Sequence, residues 1–156
     1  MAEGIFNSLA AEDEKLAGRI TATSAGILAY EGDCASPEAI RTLKATWGID
    51  ISVHRARPVS EEELKSADWI LTMTCEHKEV VISRFPEVTP KVFTLKEFVM
   101  NKVRDKSGCK NNNEFNISDP YGKSTKTYTN CALEIRDTIE KLILKLKKDK
   151  NNVDLL

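Results

Sequence analysis

Residues 67–98 read ADWILTMTCEHKEVVISRFPEVTPKVFTLKEF, and this stretch decides the fold class. DWILTM and KVFTL are short apolar runs of strand length. Between them TCEHKEVVISRF has helical character and is halted by Pro86. LKEFVMNK then continues as helix. Strands that alternate with helices form a parallel sheet, since a tight turn cannot join parallel strands. The expectation is an α/β protein: a three-layer sandwich with a short parallel sheet covered on both faces.

Working outward, SEEEL begins a short helix, with Ser60 and Glu63 at capping-box spacing. IDISVHRARPVS before it is an extended connection. Ser36, Pro37 and Glu38 start a helix with a capping hydroxyl, a proline at the first position and an acid. That helix carries Ile40, Leu43 and Trp47 on one stripe and stops at Gly48. AYEGDCA is turn-like, and RITATSAG is a β-rich run with Ile20, Ala22 and Ser24 alternating. Residues 2 to about 17 read as a first helix, with Ile5, Phe6 and Leu9 at helical spacing and Gly18 just past its end. On the other side, residues 103–118 are a long polar loop, and Ser124 to Lys148 is a helix carrying Ala132, Ile135, Ile139, Leu142 and Leu146. One domain over residues 1–150 and a tail at 151–156 are expected. A parallel α/β pattern ordinarily opens with a strand; this one opens with a helix.

Composition excludes several classes. The net charge of −1 gives no field that favours nucleic acid or an anionic membrane. No apolar stretch is long enough to span a bilayer, and the first residues lack a secretory signal. The expected location is the cytoplasm. Cys34, Cys75, Cys109 and Cys131 have no CxxC spacing, and His54 and His77 are the only histidines. A structural metal site is therefore not expected, and the thiols read as free.

The sharpest chemical signal is ISDPYGKS, residues 117–124. Asp119, held by a proline and followed by an aromatic, suits a general acid beside a flat substrate; Asp-Pro is equally an ordinary turn starter. A phosphate-handling cysteine needs an arginine six positions on, across a tight loop at a helix N-terminus. Cys34 has Arg41 one place too far, Cys131 has Arg136 one place too near, and Cys75 and Cys109 face Val81 and Phe115 at that offset. Gly-rich nucleotide loops and GxSxG are absent. Cys75 and His77, two apart on a helix, point away from each other.

MAEGIF, TSAG, ASPEAIRTLKATWGIDISVHRAR, ADWILTMTCEHK, KVFTLKEF and DPYG, in that order, resemble the low-molecular-weight cysteine phosphatases. TMTCEHK and VFTLKEF resemble the bacterial branch that includes protein arginine phosphatases. The resemblance implies a four-stranded parallel sheet of order 2-1-3-4, whose interior first strand and Cys-x5-Arg loop would precede MAE. It implies Asp119 as general acid, Tyr121 as an aromatic wall of the substrate slot and Tyr30 as the opposite wall. Ser24 and His54 would hydrogen-bond behind the phosphate loop. The implied chemistry is thiolate attack on phosphorus and hydrolysis of a phosphocysteine, with no cofactor and no metal. The implied substrate is a protein bearing phosphoarginine or phosphotyrosine. With no nucleophile loop in residues 1–156, the chain as written is expected to be inactive, and to be a truncated form of a longer protein. Its exposed sheet edge is expected to invite strand exchange or self-association. The alternative is a non-catalytic phosphatase-like binding domain.

Overall fold

The structure, a computed structural model, describes residues 1–100 and 113–153, with side chains to residue 148. The chain divides into two compact units. The first comprises Met1–Ser24, Cys34–Arg55 and the chain from Asp119 onward; it contains α1 (Ala2–Ala11), α2 (Pro37–Trp47) and α6 (Thr125–Val153). The second comprises Ala25–Asp33 and Ala56–Ser118; it contains α3 (Glu61–Ser66), β1 (Ile70–Thr72), α4 (Cys75–Arg84), β2 (Val92–Thr94) and α5 (Leu95–Val99).

The second unit realises the pattern of residues 67–98. β1 and β2 pair in parallel, with Ile70 opposite Val92, Leu71 opposite Phe93 and Thr72 opposite Thr94. The crossover helix α4 starts at Thr74, whose side chain accepts the His77 N–H at 3.1 Å. It stops ahead of Pro86, which opens a 3-10 helix running to Lys91. Leu64, Val81, Val88 and Val92 form the buried core, with Ile70, Ile82 and Phe85 packed against it. At the end of β2, Thr94 and Glu97 form a complete capping box. The expected box at Ser60 is only half made: Ser60 Oγ accepts the Glu63 N–H at 3.3 Å, while the Glu63 carboxylate engages Arg57. Glu97 is buried, and Lys78 reaches both its oxygens at 2.9 and 2.8 Å. A charge pair so enclosed is destabilising to break, because a buried charge loses the partner that compensates it most directly.

In the first unit α6 packs against α1 and α2. Ile5, Phe6 and Ala10 of α1 are buried, as are Tyr128, Ala132, Ile135, Ile139 and Leu142 of α6. α2 begins and ends as expected: Ser36 accepts the Ala39 N–H at 3.3 Å, and Gly48 takes a left-handed φ of 71°. α1 ends at Ala11, earlier than the expected residue 17. The reason lies in Asp13, whose carboxylate takes the Lys15 N–H at 3.0 Å and Lys147 Nζ at 2.5 Å. A short acidic side chain that binds nearby backbone competes with the helix ladder.

The expected strand at residues 19–26 is corrected: only Gly26 makes a β-bridge, to Pro58, and residues 20–24 join no ladder. Asn7 of α1 takes a strand's place there. Its Oδ1 accepts the Ala22 N–H and its Nδ2 donates to the Ala22 carbonyl, both at 2.9 Å. One side-chain amide thus satisfies both peptide groups of Ala22 as a neighbouring strand would. Among the described residues the sheet therefore has two strands.

Residues 103–112 of the expected long loop, and Cys109 with them, lie outside the described residues; Asn113–Phe115 form a 3-10 turn. Cys34, Cys75 and Cys131 are in no disulfide among the described residues, the first exposed and the other two buried. α6 runs to Val153, past the expected end at Lys148.

Candidate functional site

The structure brings Ser24 and His54 together through a third residue, Glu3, which the sequence analysis passed over. Ser24 Oγ donates to Glu3 Oε2 at 2.6 Å, and His54 Nδ1 stands 3.8 Å from Glu3 Oε1. Glu3 occupies the first turn of α1, where a carboxylate complements the positive end of the helix dipole. The carboxylate lies between the hydroxyl and the imidazole. Ser24 is therefore not poised as a nucleophile with a histidine base. The cluster is suited to holding the N-terminal end of α1 against the segments that carry Ser24 and His54.

Asp119 and Tyr121 lie in one tight turn. Asp119 Oδ1 accepts the Tyr121 N–H at 3.0 Å, and the Lys123 N–H reaches the Pro120 carbonyl at 3.0 Å. Gly122 has φ 71°, a left-handed value that a side chain would strain. Ser124 then caps α6, accepting the Thr127 N–H at 3.3 Å. The two alternatives left open by the sequence are compatible: Asp119 builds the turn with one oxygen, and Oδ2 has no partner among the described residues. Asp119 and Tyr121 are both exposed.

Tyr30 belongs to the second unit, on the loop Gly26–Asp33. The base of this loop is fastened by Gly26 N–H to the Arg57 carbonyl at 2.9 Å, Gly32 N–H to the Ala56 carbonyl at 2.8 Å and Ala56 N–H to the Asp33 carbonyl at 2.8 Å. Leu28 and Tyr30 protrude from it, 84% and 80% exposed.

The described thiols are poor candidates for a nucleophile. Burial pushes the Cys131 thiol up to about 11, with the Glu134 and Asp119 carboxylates adding to the rise, so it stays protonated near neutral pH. Cys75 is buried at the start of α4, where its N–H donates to Asn116 Oδ1 at 2.8 Å. Cys34 is exposed, without an arginine at the required spacing. Among the described residues no group of His, Cys, Asp and Glu could hold a metal ion, and no helix is long and apolar enough to cross a membrane.

Comparison with known proteins identifies the family. A family model described as Low molecular weight phosphotyrosine protein phosphatase matches residues 1–152. The chain is 34% identical over 151 residues to the protein-arginine-phosphatase of Bacillus subtilis, a match covering 96% of this chain and 89% of that one. The protein-arginine-phosphatase of Geobacillus stearothermophilus is 34% identical over 138 residues, covering 88% and 84%. Among solved structures, a cysteine-to-serine mutant of the YwlE arginine phosphatase with a phosphorylated active site serine matches with a TM-score of 0.80 and 34% identity, covering 96% of this chain and 88% of that one. A low molecular weight protein tyrosine phosphatase from T. tengcongensis matches with a TM-score of 0.77 and 42% identity, covering 92% and 88%. The α/β fold, with its small parallel sheet and flanking helices, is the fold of these phosphatases. The chain belongs to the low molecular weight phosphotyrosine protein phosphatase family.

Proposed function

We propose that this protein is a cytoplasmic phosphatase of phosphorylated proteins, acting on phosphoarginine or phosphotyrosine through a phosphocysteine. The observation that carries the proposal is the match to a protein-arginine-phosphatase across 96% of the chain. In this role Asp119 is the general acid, protonating the departing nitrogen or oxygen and then activating water. Tyr121 and Tyr30 are the aromatic walls for the substrate side chain. Ser24 and His54 support the phosphate-binding loop, with Glu3 between them. A phosphoryl group is stabilised mainly by preorganised donors, and a thiolate is made available by a helix N-terminus and an arginine. No cysteine in residues 1–156 has an arginine six positions on. Residues 1–156 by themselves therefore lack a nucleophile of this kind, and the acid half of the chemistry has nothing to act with.

The test has two arms. Purified residues 1–156 are expected to hydrolyse neither an aryl phosphate nor a phosphoarginine protein; turnover would overturn the assignment of the missing nucleophile. Joining a relative's strand and Cys-x5-Arg loop ahead of Met1 is expected to give turnover. In that fusion Asp119→Asn is expected to lower kcat by roughly 10²–10⁴-fold. An unchanged kcat would remove Asp119 from the catalytic role.

A further inference from the structure

The stretch that leads into Asp119 is fastened three times within the second unit. The Ile117 N–H donates to the Met73 carbonyl at 2.9 Å, just past the end of β1. Asn116 Oδ1 accepts the N–H of Cys75, the first residue of α4, at 2.8 Å. Lys96 Nζ of α5 donates to the Asn116 carbonyl, also at 2.8 Å. Phe115 and Ile117, on either side of Asn116, are buried, and Phe115 shares a cluster with Cys75. Asn116 is thus held through its side chain and its main chain, by the two helices that follow the two strands.

Asn116 serves α4 as a cap, taking one of the N–H groups that a helix start leaves without a partner, while Thr74 takes that of His77. That duty requires no particular place in the sequence, yet this cap stands three residues ahead of Asp119. A chain advances at most about 3.6 Å per residue, so Asp119 lies within about 7 Å of the anchored Ile117. Downstream, the acid turn keeps its own shape, through Asp119 Oδ1 on the Tyr121 N–H and Ser124 on the Thr127 N–H. Those bonds do not fix the point from which the chain enters the turn; the upstream fastening does. We propose that Asn116, with Lys96, is a positioning residue for the general acid, holding the stem from which the Asp119 carboxyl is presented. The inference rests on the general-acid role proposed for Asp119. Misplacing a reacting group by about 1 Å can cost about 10²-fold in rate, so a bond that never touches substrate is read in kcat.

One measurement needs no turnover. In residues 1–156 the backbone order parameter of Asp119, from nitrogen relaxation, is expected to fall in Asn116→Ala from about 0.85 toward about 0.6. It is expected to recover in Asn116→Asp, whose carboxylate still accepts the Cys75 N–H. An order parameter unchanged in Asn116→Ala overturns the proposal, whether or not the phosphatase reading holds. The second measurement uses the fusion that carries a relative's strand and Cys-x5-Arg loop. There Asn116→Ala is expected to lower kcat about 10-fold or more with KM nearly unchanged, and Asn116→Asp to restore it. Once Asp119→Asn is present, Asn116→Ala is expected to change kcat by less than about 2-fold. An equal loss with and without the Asp119 carboxyl would make Asn116 merely structural and overturn the proposal. If circular dichroism shows that Asn116→Ala has lost helix, Lys96→Met, which removes the donor to the Asn116 carbonyl, is read instead with the same expectations. A fusion without turnover, beside an order parameter that falls, supports the anchoring and counts against the phosphatase reading alone.

Discussion

Two runs of β-forming residues in this protein meet different fates. Val92–Thr94 pairs in parallel with Ile70–Thr72 and becomes a strand. Ile20–Ser24, with comparable alternation and β-branching, joins no ladder, and its central peptide groups are satisfied by one asparagine side chain. Strand propensity prepares a segment to be extended, whereas a neighbouring backbone makes it a strand. The first run is braced by backbone pairing and a buried ion pair, the second by side chains of a helix.

The largest effect is expected on the braced side. Lys78→Met removes the ammonium that meets both Glu97 oxygens and is expected to lower unfolding free energy by about 3 kcal/mol in urea titration. A loss under about 1 kcal/mol, the range of exposed pairs, would mean that the pair is screened by water. Asn7→Ala tests the other side. It strips both partners from Ala22, at an expected cost of about 1–2 kcal/mol, and speeds amide exchange at Ala22 while leaving Thr94 unchanged. Equal acceleration at both amides would erase the distinction between the two runs.

The smallest effect comes from acid. The Lys147 ammonium beside Asp13 holds its carboxyl below the usual carboxylate range. The Ser52 hydroxyl and N–H, and then Lys44, hold the Asp50 carboxyl down to about 2. A depressed carboxyl contributes stability that is fully present above its unfolded pKa, near 4, and is lost as pH falls through the folded value. Urea midpoints are therefore expected to decline between about pH 4 and 2, and Asp50→Asn is expected to flatten that decline. An identical slope in the variant would show that Asp50 gains nothing from folding.

Much of this was legible in the residues. The stretch 67–98 declares strand, helix and strand because each run has its own length, period and stop signal, and Pro86 and Thr94 stand where the chain changes state. Ser36, Pro37 and Gly48 delimit α2 for the same local reasons. The early end of α1 went unread because the apolar spacing of Ile5, Phe6 and Leu9 does not reveal that the Asp13 carboxylate takes the Lys15 N–H. Glu3 was overlooked because an acid in a first turn already has a sufficient local purpose. Its signal was its companion: Glu3 and Asn7 form a polar pair one turn apart on a helix that buries Ile5, Phe6 and Ala10. Asp119 could be picked out by its Asp-Pro context, but only the structure separates the duties of its two oxygens.

That separation has a stereochemical consequence. Oδ1 is committed to the Tyr121 amide, and protonating it would set a hydroxyl against an N–H and undo the turn. A proton carried by Asp119 therefore resides on Oδ2 alone. In the general-acid role proposed for it, the carboxyl would deliver that proton from one oxygen and one side, so the turn would dictate the direction from which a leaving group must approach.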